Sequence, residues 1–298
     1  MNCNACGSLV VDQIYKSYTK RSLTSLCTFH DGGTEVYFCA GCTHIQSAPL
    51  ANADAYYDTS YDILVGSAEE DQIYEINEGQ KIFRTEHQVE TLKQKIDLQV
   101  SLKILDYGCA KSSTMYALKQ QFPSIGVYLF DISDRYMPFW EKFVEPGHWA
   151  TYSIPSRWQQ KFDVVTSFFS LEHMTDPQTA LQNIHGVLKE GGVFYGVVPN
   201  VFTNMADMIV VDHVNHFTAD SLAALLHLNG FKQIDVDETS HRGALVFTAV
   251  KSSAALANDF SLARATLTVK VLAHRSHRDL AKTGFDQARR PLARDSED

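Results

Sequence analysis

No run of the 298-residue chain is apolar for long enough to cross a bilayer as a helix. The opening Met1-Asn2-Cys3-Asn4 has neither the basic nor the apolar region of a secretory leader. A cytoplasmic protein with no membrane partner is expected. Basic charge is also in deficit: 26 Lys and Arg face 35 Asp and Glu, leaving a formal charge of -9. A general nucleic-acid binder carries a basic face, so nucleic acid is not the expected partner. Internal repeats and low-complexity linkers are missing, which removes repeat architectures from consideration. A complete Gly-x-Gly-x-x-Gly loop is missing too. The nearest series is Gly108, Ala110 and Ser113, poorly suited to seating a pyrophosphate on a helix start.

What remains is a soluble globular composition, 45% apolar and 20% charged, long enough for one large domain and a small one. The chain is organised around Lys103 to Asp131. Ile104 and Leu105 begin an apolar strand that stops at Asp106-Tyr107-Gly108, and Met115, Leu118 and Phe122 then mark one buried helix face. Gly126 to Phe130 is a second strand, closed by Asp131. In an open parallel sheet, ligands bind beyond the carboxyl ends of the strands. There Gly108 allows close backbone approach, and Asp131 is spaced to accept hydrogen bonds from ribose hydroxyls. The stretch predicts a nucleoside site.

Six cysteines in a chain expected to stay unexported point to thiol or metal chemistry more than to disulfides. Cys3-x-x-Cys6 and Cys39-x-x-Cys42 each present two thiolates from a tight turn, and together they make a four-cysteine structural zinc site. Cys27 and His44 are alternative ligands without paired spacing, and a redox CxxC is the rival reading. Between this module and the sheet, Tyr56, Tyr57, Tyr61 and Tyr74 with Asp58 and Asp62 suit a lid over a ligand or packing on the cysteine knuckles. Ile82, Phe83, Val89, Leu92 and Ile96 predict an amphipathic helix.

Further on, Arg135 to Phe143 reads as a helix and Trp149 to Tyr152 as a third strand, followed by a fourth at Phe162 to Thr166. Pro177 opens a helix expected to end at Gly191-Gly192, and Val193 to Val198 is the fifth strand. Thr218 caps a helix ending at Gly230, before an antiparallel pair at Ile234–Val236 and Ala244–Val250. Alternating strands and helices predict a doubly wound, Rossmann-like α/β sheet. Beyond Lys251, Leu262, Leu267, Val271 and Leu272 suggest a helix, and Arg289, Arg290 and Arg294 a basic tail.

The block Leu105 to Ala110, the acid at Asp131, Phe162 to Val165 and Ser170 to Pro177 occur in order, and together they resemble the class I S-adenosylmethionine-dependent methyltransferases. The resemblance implies a cofactor site at Asp106, Gly108, Ala110, Asp131, Ile132, Ser167, Glu172 and His173. The family's alternating loop glycines would fall at Gly108, Ala110 and Ser112. With the N-terminal knuckles, Asp212-His213 resembles the Glu-His pair of zinc-containing nucleotide-deoxysugar methyltransferases. That implies His213 as the base, Asp212 as its helper and His216 as the nearest substitute. A helix-capping role for these histidines is the alternative.

The expected organisation is a zinc module or ribbon at 1–50, a helical connector and lid at 51–101, a methyltransferase domain at 102–250 and a helical extension at 251–298. The expected activity is O- or C-methylation of a small polar acceptor such as a sugar nucleotide or glycan precursor, with a homodimer left open. A zinc-knuckle RNA methyltransferase and a non-catalytic protein of the same fold are the competing readings.

Overall fold

In a computed structural model, residues 1–253 are described except 11, 62, 64, 65, 68, 69, 99, 100 and 204. Five short strands come first: β1 (Asp12–Lys16), β2 (Arg21–Leu23), β3 (Phe29–Asp31), β4 (Glu35–Phe38) and β5 (Ile45–Ser47). Helix α1 (Ala53–Thr59), strands β6 (Ile73–Asn77) and β7 (Gln80–Phe83), and helix α2 (Arg84–Lys95) follow. The alternating region holds β8 (Lys103–Tyr107), α3 (Ser113–Gln121), β9 (Gly126–Asp131), α4 (Met137–Trp140), β10 (Trp149–Thr151) and β11 (Phe162–Phe168). It continues through α5 (Pro177–Val187), β12 (Leu188–Pro199), β13 (Asn215–His216), α6 (Ala219–Leu228), β14 (Phe231–Asp237) and β15 (Ala244–Lys251).

The main sheet has the order β10-β9-β8-β11-β12-β15-β14. The strands from β10 to β12 are parallel, whereas β15 runs antiparallel to both its neighbours. Strand periodicity divides β8 between two cores. Ile104 packs with Val127, Leu129, Met115 and Leu118 on the α2–α3 face, and Leu105 with Val165, Phe194 and Leu181 on the other. Burial on both sides explains why these central strands read as continuous apolar runs. Their carboxyl ends converge where β8 and β11 hand the chain to loops.

A second sheet, β1-β4-β5-β13, carries the N-terminal segment. Its fourth strand comes from far along the chain, with Asn215 paired to Gln46 and His216 to Ile45. Val36, Phe38 and Ile45 share a core with Val201, Met205 and Met208. The cysteine segment and the 201–217 stretch are therefore packed as one body.

Three local readings change. Ile82 and Phe83 lie in β7, not in the helix, because Glu78 and Gly79 both take positive φ (49° and 85°) and close a two-residue hairpin. The helix read over Arg135 to Phe143 shrinks to the single turn of α4. Helix α5 stops at Val187, and Gly191-Gly192 instead lie within β12. There Gly191 has φ 73°, and a Cβ on Gly192 would lie 2.9 Å from the Lys189 carbonyl oxygen. Thr218 caps α6 as expected, in a reciprocal capping box with Ser221. The helix and basic tail read beyond Lys251 fall outside the described residues, as does Asp62. Among the described residues, no helix is long and apolar enough to cross a membrane.

Candidate active site

A cavity of about 550 Å³ opens at the carboxyl ends of β8, β9 and β11. One end is made by the loop after β8. Gly108, Ala110 and Ser112 all adopt positive φ, at 71°, 43° and 58°. Two non-glycine residues thus hold the left-handed conformation that alternating glycines would take freely. Hydrogen bonds secure them. Ser112 Oγ donates to Asp106 Oδ2 (2.7 Å), Ala110 N donates to Asp131 Oδ2 (2.8 Å), and Trp140 Nε1 donates to the Ala110 carbonyl (2.7 Å). At Gly108 no side chain fits, because a Cβ would stand 2.0 Å from Ser170 Oγ.

Burial raises both carboxylates here, Asp106 to about 6 and Asp131 to about 6. Asp106 is occupied by the hydroxyls of Ser112 and Thr166. Asp131 accepts from Ala110 N and Ser133 N, and a carboxylate with two such bonds keeps lone pairs for further donors. Ile132 beside it is 45% exposed and lines the cavity. Such a cradle, with a close backbone approach, a free-sided carboxylate and an apolar wall, fits a nucleoside.

The opposite end comes from four separated segments. The 3-10 turn Leu171–His173 after β11 supplies Glu172 and His173, and the 3-10 turn Met205–Ile209 supplies Asp207. His213 precedes β13, and α1 with its following turn supplies Tyr57 and Tyr61. His213 Nδ1 donates to Asp207 Oδ1 at 2.5 Å, which leaves Nε2 as the acceptor nitrogen of a ring that borders the cavity. Burial pulls the His213 imidazole down, but the charge and hydrogen bond of Asp207 outweigh it and hold His213 up at about 9. Burial alone raises Asp207, yet the His213 charge and hydrogen bond bring it well below the ordinary carboxylate range.

Glu172, 1% exposed, is raised to about 7 by burial, and its Oε2 has no hydrogen-bond partner among the described residues. His173 is pulled down to about 4, mainly by burial. Its Nδ1 donates to the Asp212 carbonyl (3.0 Å), which can only accept. Tyr57 and Tyr61 stand edge-on to the His173 ring at 5.5 and 5.3 Å. They form with Tyr56 the aromatic cluster read from the sequence, while Tyr74 leaves it to stack on His87 at 3.7 Å.

Asp106, Gly108, Ala110, Asp131, Ile132, Glu172, His173 and His213 all border the cavity. Ser167, Asp212 and His216 do not. Ser167 is buried inside β11. The Asp212 carboxylate turns to Ser25 N and Oγ (both 2.7 Å) and to Tyr56 Oη (3.2 Å) rather than to His213. His216 is fully buried between Asp207 Oδ2 (3.1 Å) and Ser47 Oγ (2.8 Å). The residue missed by sequence reading is Asp207. Its signal was an isolated acid within the apolar run Met205 to Val211. Arg84, whose guanidinium lies 4.0 Å over the Phe169 ring at the cavity wall, carried no comparable signal.

The four cysteines come together away from this cavity. Their sulfurs all lie within 4.8 Å of one another, with Cys3 to Cys42 at 3.5 Å and Cys6 to Cys39 at 3.6 Å. Four thiolates about 2.3 Å from a tetrahedral zinc are spaced by roughly 3.8 Å, so the cluster is consistent with a zinc-binding module. Each knuckle is closed by backbone bonds, Gly7 N to Cys3 O and Thr43 N to Cys39 O. The Cys42 thiol, helped by the Cys6 and Ala5 amides, holds Cys3 down at about 5 against burial. His44 bonds Asn215 instead, and Cys27 is exposed elsewhere.

No curated protein matches the chain by sequence. Among solved structures it is similar to the CurJ carbon methyltransferase, at 14% identity and TM-score 0.45, covering 54% of this chain and 51% of that one. It thus spans about half the length of that structure (51%). A putative S-adenosylmethionine-dependent methyltransferase from Listeria monocytogenes is 15% identical at TM-score 0.45, over 57% of this chain and 100% of that one. Human N-acetylserotonin methyltransferase in complex with SAM is 15% identical at TM-score 0.45, over 57% and 54%. The family model for a methyltransferase domain matches residues 82–236, from the β6–β7 hairpin through the main sheet into β14. That match spans more than half of the sequence, and the chain therefore belongs to the methyltransferase-domain family.

Proposed function

We propose that the enzyme methylates an oxygen or carbon atom of a small polar acceptor, a sugar nucleotide or related glycan precursor, with His213 taking the acceptor's proton. The observation that carries this reading is the two-ended cavity: a nucleoside cradle on Gly108 and Asp131, and an imidazole backed by a buried carboxylate facing it. S-adenosylmethionine supplies an electrophilic methyl group on a sulfonium. Asp131 holds the ribose hydroxyls, Ile132 covers the base, and the loop from Gly108 to Ser112 follows the backbone of the ligand. Glu172 and His173 close the region between the two ends.

Methyl transfer demands in-line alignment, and positioning supplies much of its rate. The chain's own chemical task is then the proton. His213 Nε2 receives it, and Asp207 orients the ring and stabilises the resulting imidazolium. Asp212 acts at one remove, anchoring through its carbonyl the Tyr57 hydroxyl and His173. His216 shares Asp207 and steadies it from behind. The cysteine cluster binds one structural zinc as the ribbon module of residues 1–50. Calorimetric titration with S-adenosylmethionine, followed by a methyl-transfer screen over nucleotide sugars, tests the reading. Tight cofactor binding without turnover of any nucleotide sugar would reject the acceptor class.

A further inference from the structure

The three groups between the two ends of the cavity have the arrangement of a metal site. One donor atom from each of Glu172, His173 and His213 lies within 4.8 Å of the others. Both imidazoles are held at Nδ1 by an oxygen acceptor, His213 by the Asp207 carboxylate at 2.5 Å and His173 by the Asp212 carbonyl at 3.0 Å. Metal-bound histidines are oriented in this way, the ring N–H on an outer acceptor and the second nitrogen turned to the ion. Among the described residues, the hydrogen-bond partner of His173 Nε2 is Tyr61 Oη, at a long 3.5 Å. The third donor is independent evidence of a ligand. Glu172 is 1% exposed, borders the cavity, and its Oε2 has no partner among the described residues. An unpaired carboxylate is costly to bury, and a cation compensates that cost. The four-cysteine cluster is a separate set of ligands, with softer sulfur donors.

We propose that Glu172, His173 and His213 bind a first-row divalent transition-metal ion, and that this ion switches off methyl transfer by occupying His213 Nε2. Two imidazoles and one carboxylate suit such ions better than a hard all-oxygen cation, and three protein ligands leave positions open toward the cavity. The binding is a property of the three side chains alone. The inhibition rests on the reading of His213 as the base.

Cobalt(II) is the probe. Full-length protein with its cysteine site loaded with zinc is titrated with Co2+ by calorimetry and visible absorption. One cobalt should bind, with ligand-field absorption but without the thiolate-to-cobalt bands that a cysteine site produces. Glu172→Gln and, separately, His173→Gln should weaken it at least tenfold, since even the loss of an outer partner weakens metal binding by roughly ten- to a hundredfold. Zinc content and cooperative unfolding report whether each variant has folded. Absence of cobalt binding, or binding unchanged in the folded variants, overturns the site and leaves the base untouched. With an acceptor found in the screen, Co2+ should depress turnover and a chelator restore it. A rise in turnover overturns the switch-off and the base reading together, while the spectroscopic site stands.

Discussion

At its Gly108 end the cavity is made from one continuous stretch, β8 through α4, and its decisive contacts run to the backbone: Ala110 N to Asp131, Trp140 Nε1 to the Ala110 carbonyl. At its His213 end, side chains from α1, the turn after β11, the 205–209 turn and the entry to β13 meet in a buried network of carboxylates and imidazoles. The first end persists as long as the sheet does. The second depends on how a late segment docks on the N-terminal sheet, because β13 pairs with β5. Affinity for a shared cofactor and chemistry on a particular acceptor can therefore vary separately.

The strongest way to break this contrast is Cys39→Ser. Zinc should be lost from the module, and metal binding to such sites is worth on the order of 10 kcal/mol. The disturbance should pass through β5 and β13 to His213, so turnover falls while the main sheet still binds S-adenosylmethionine. Metal analysis and calorimetry on the same sample check this. Equal loss of cofactor affinity would show that the two ends are not separable.

His213→Ala comes next, with turnover expected to drop roughly a hundredfold or more and cofactor affinity unchanged. Asp131→Ala is its mirror image. Cofactor affinity should weaken more than tenfold, from a charged hydrogen bond worth about 1.5–3 kcal/mol, as read by calorimetry.

The pH profile sharpens the His213 end. A base is active once it has lost its proton, so kcat/KM should climb as pH rises through about 9. Asp207→Asn removes the charge that holds this value up, and the limb should move down toward the ordinary histidine range of about 6.5. The same pairing affects stability with a definite sign. His213 is raised in the folded state, so its contribution is fully present below about 6.5 and is lost as pH rises through about 9. The melting temperature should fall across that window in the wild type but not in His213→Gln.

The smallest effect belongs to the loop. Ala110→Gly relieves a positive φ of 43° but frees the unfolded chain, so stability should change by less than about 1 kcal/mol. Ser112→Gly also removes the bond to Asp106, and should cost roughly 0.5–1.5 kcal/mol relative to Ala110→Gly in denaturant melts.

The features visible in the sequence were those encoded within a few residues or by a repeating period. Ile104 and Leu105 announce an apolar strand, Thr218 a capped helix, and Cys3, Cys6, Cys39 and Cys42 two knuckles, because spacing alone carries each signal. Gly108 and Asp131 could be paired for the same reason, since a strand-turn-helix-strand unit fixes their separation. Ile82 and Phe83 misled, because helical spacing cannot outweigh a two-residue turn whose glycine looks ordinary in the sequence.

At the His213 end of the cavity, neighbours in sequence were not neighbours in contact. Asp212 adjoins His213, yet it bonds Ser25 and Tyr56, while Asp207 six residues earlier holds the imidazole. The sequence by itself determined the alternating α/β pattern, the cysteine pairs and the tight turn at Gly108, because local backbone geometry and side-chain periodicity leave few alternatives. Only the tertiary structure decided which carboxylate faces which histidine. Buried charges take the partner that long-range packing delivers, and here β13 delivers it by joining a strand formed some 170 residues earlier.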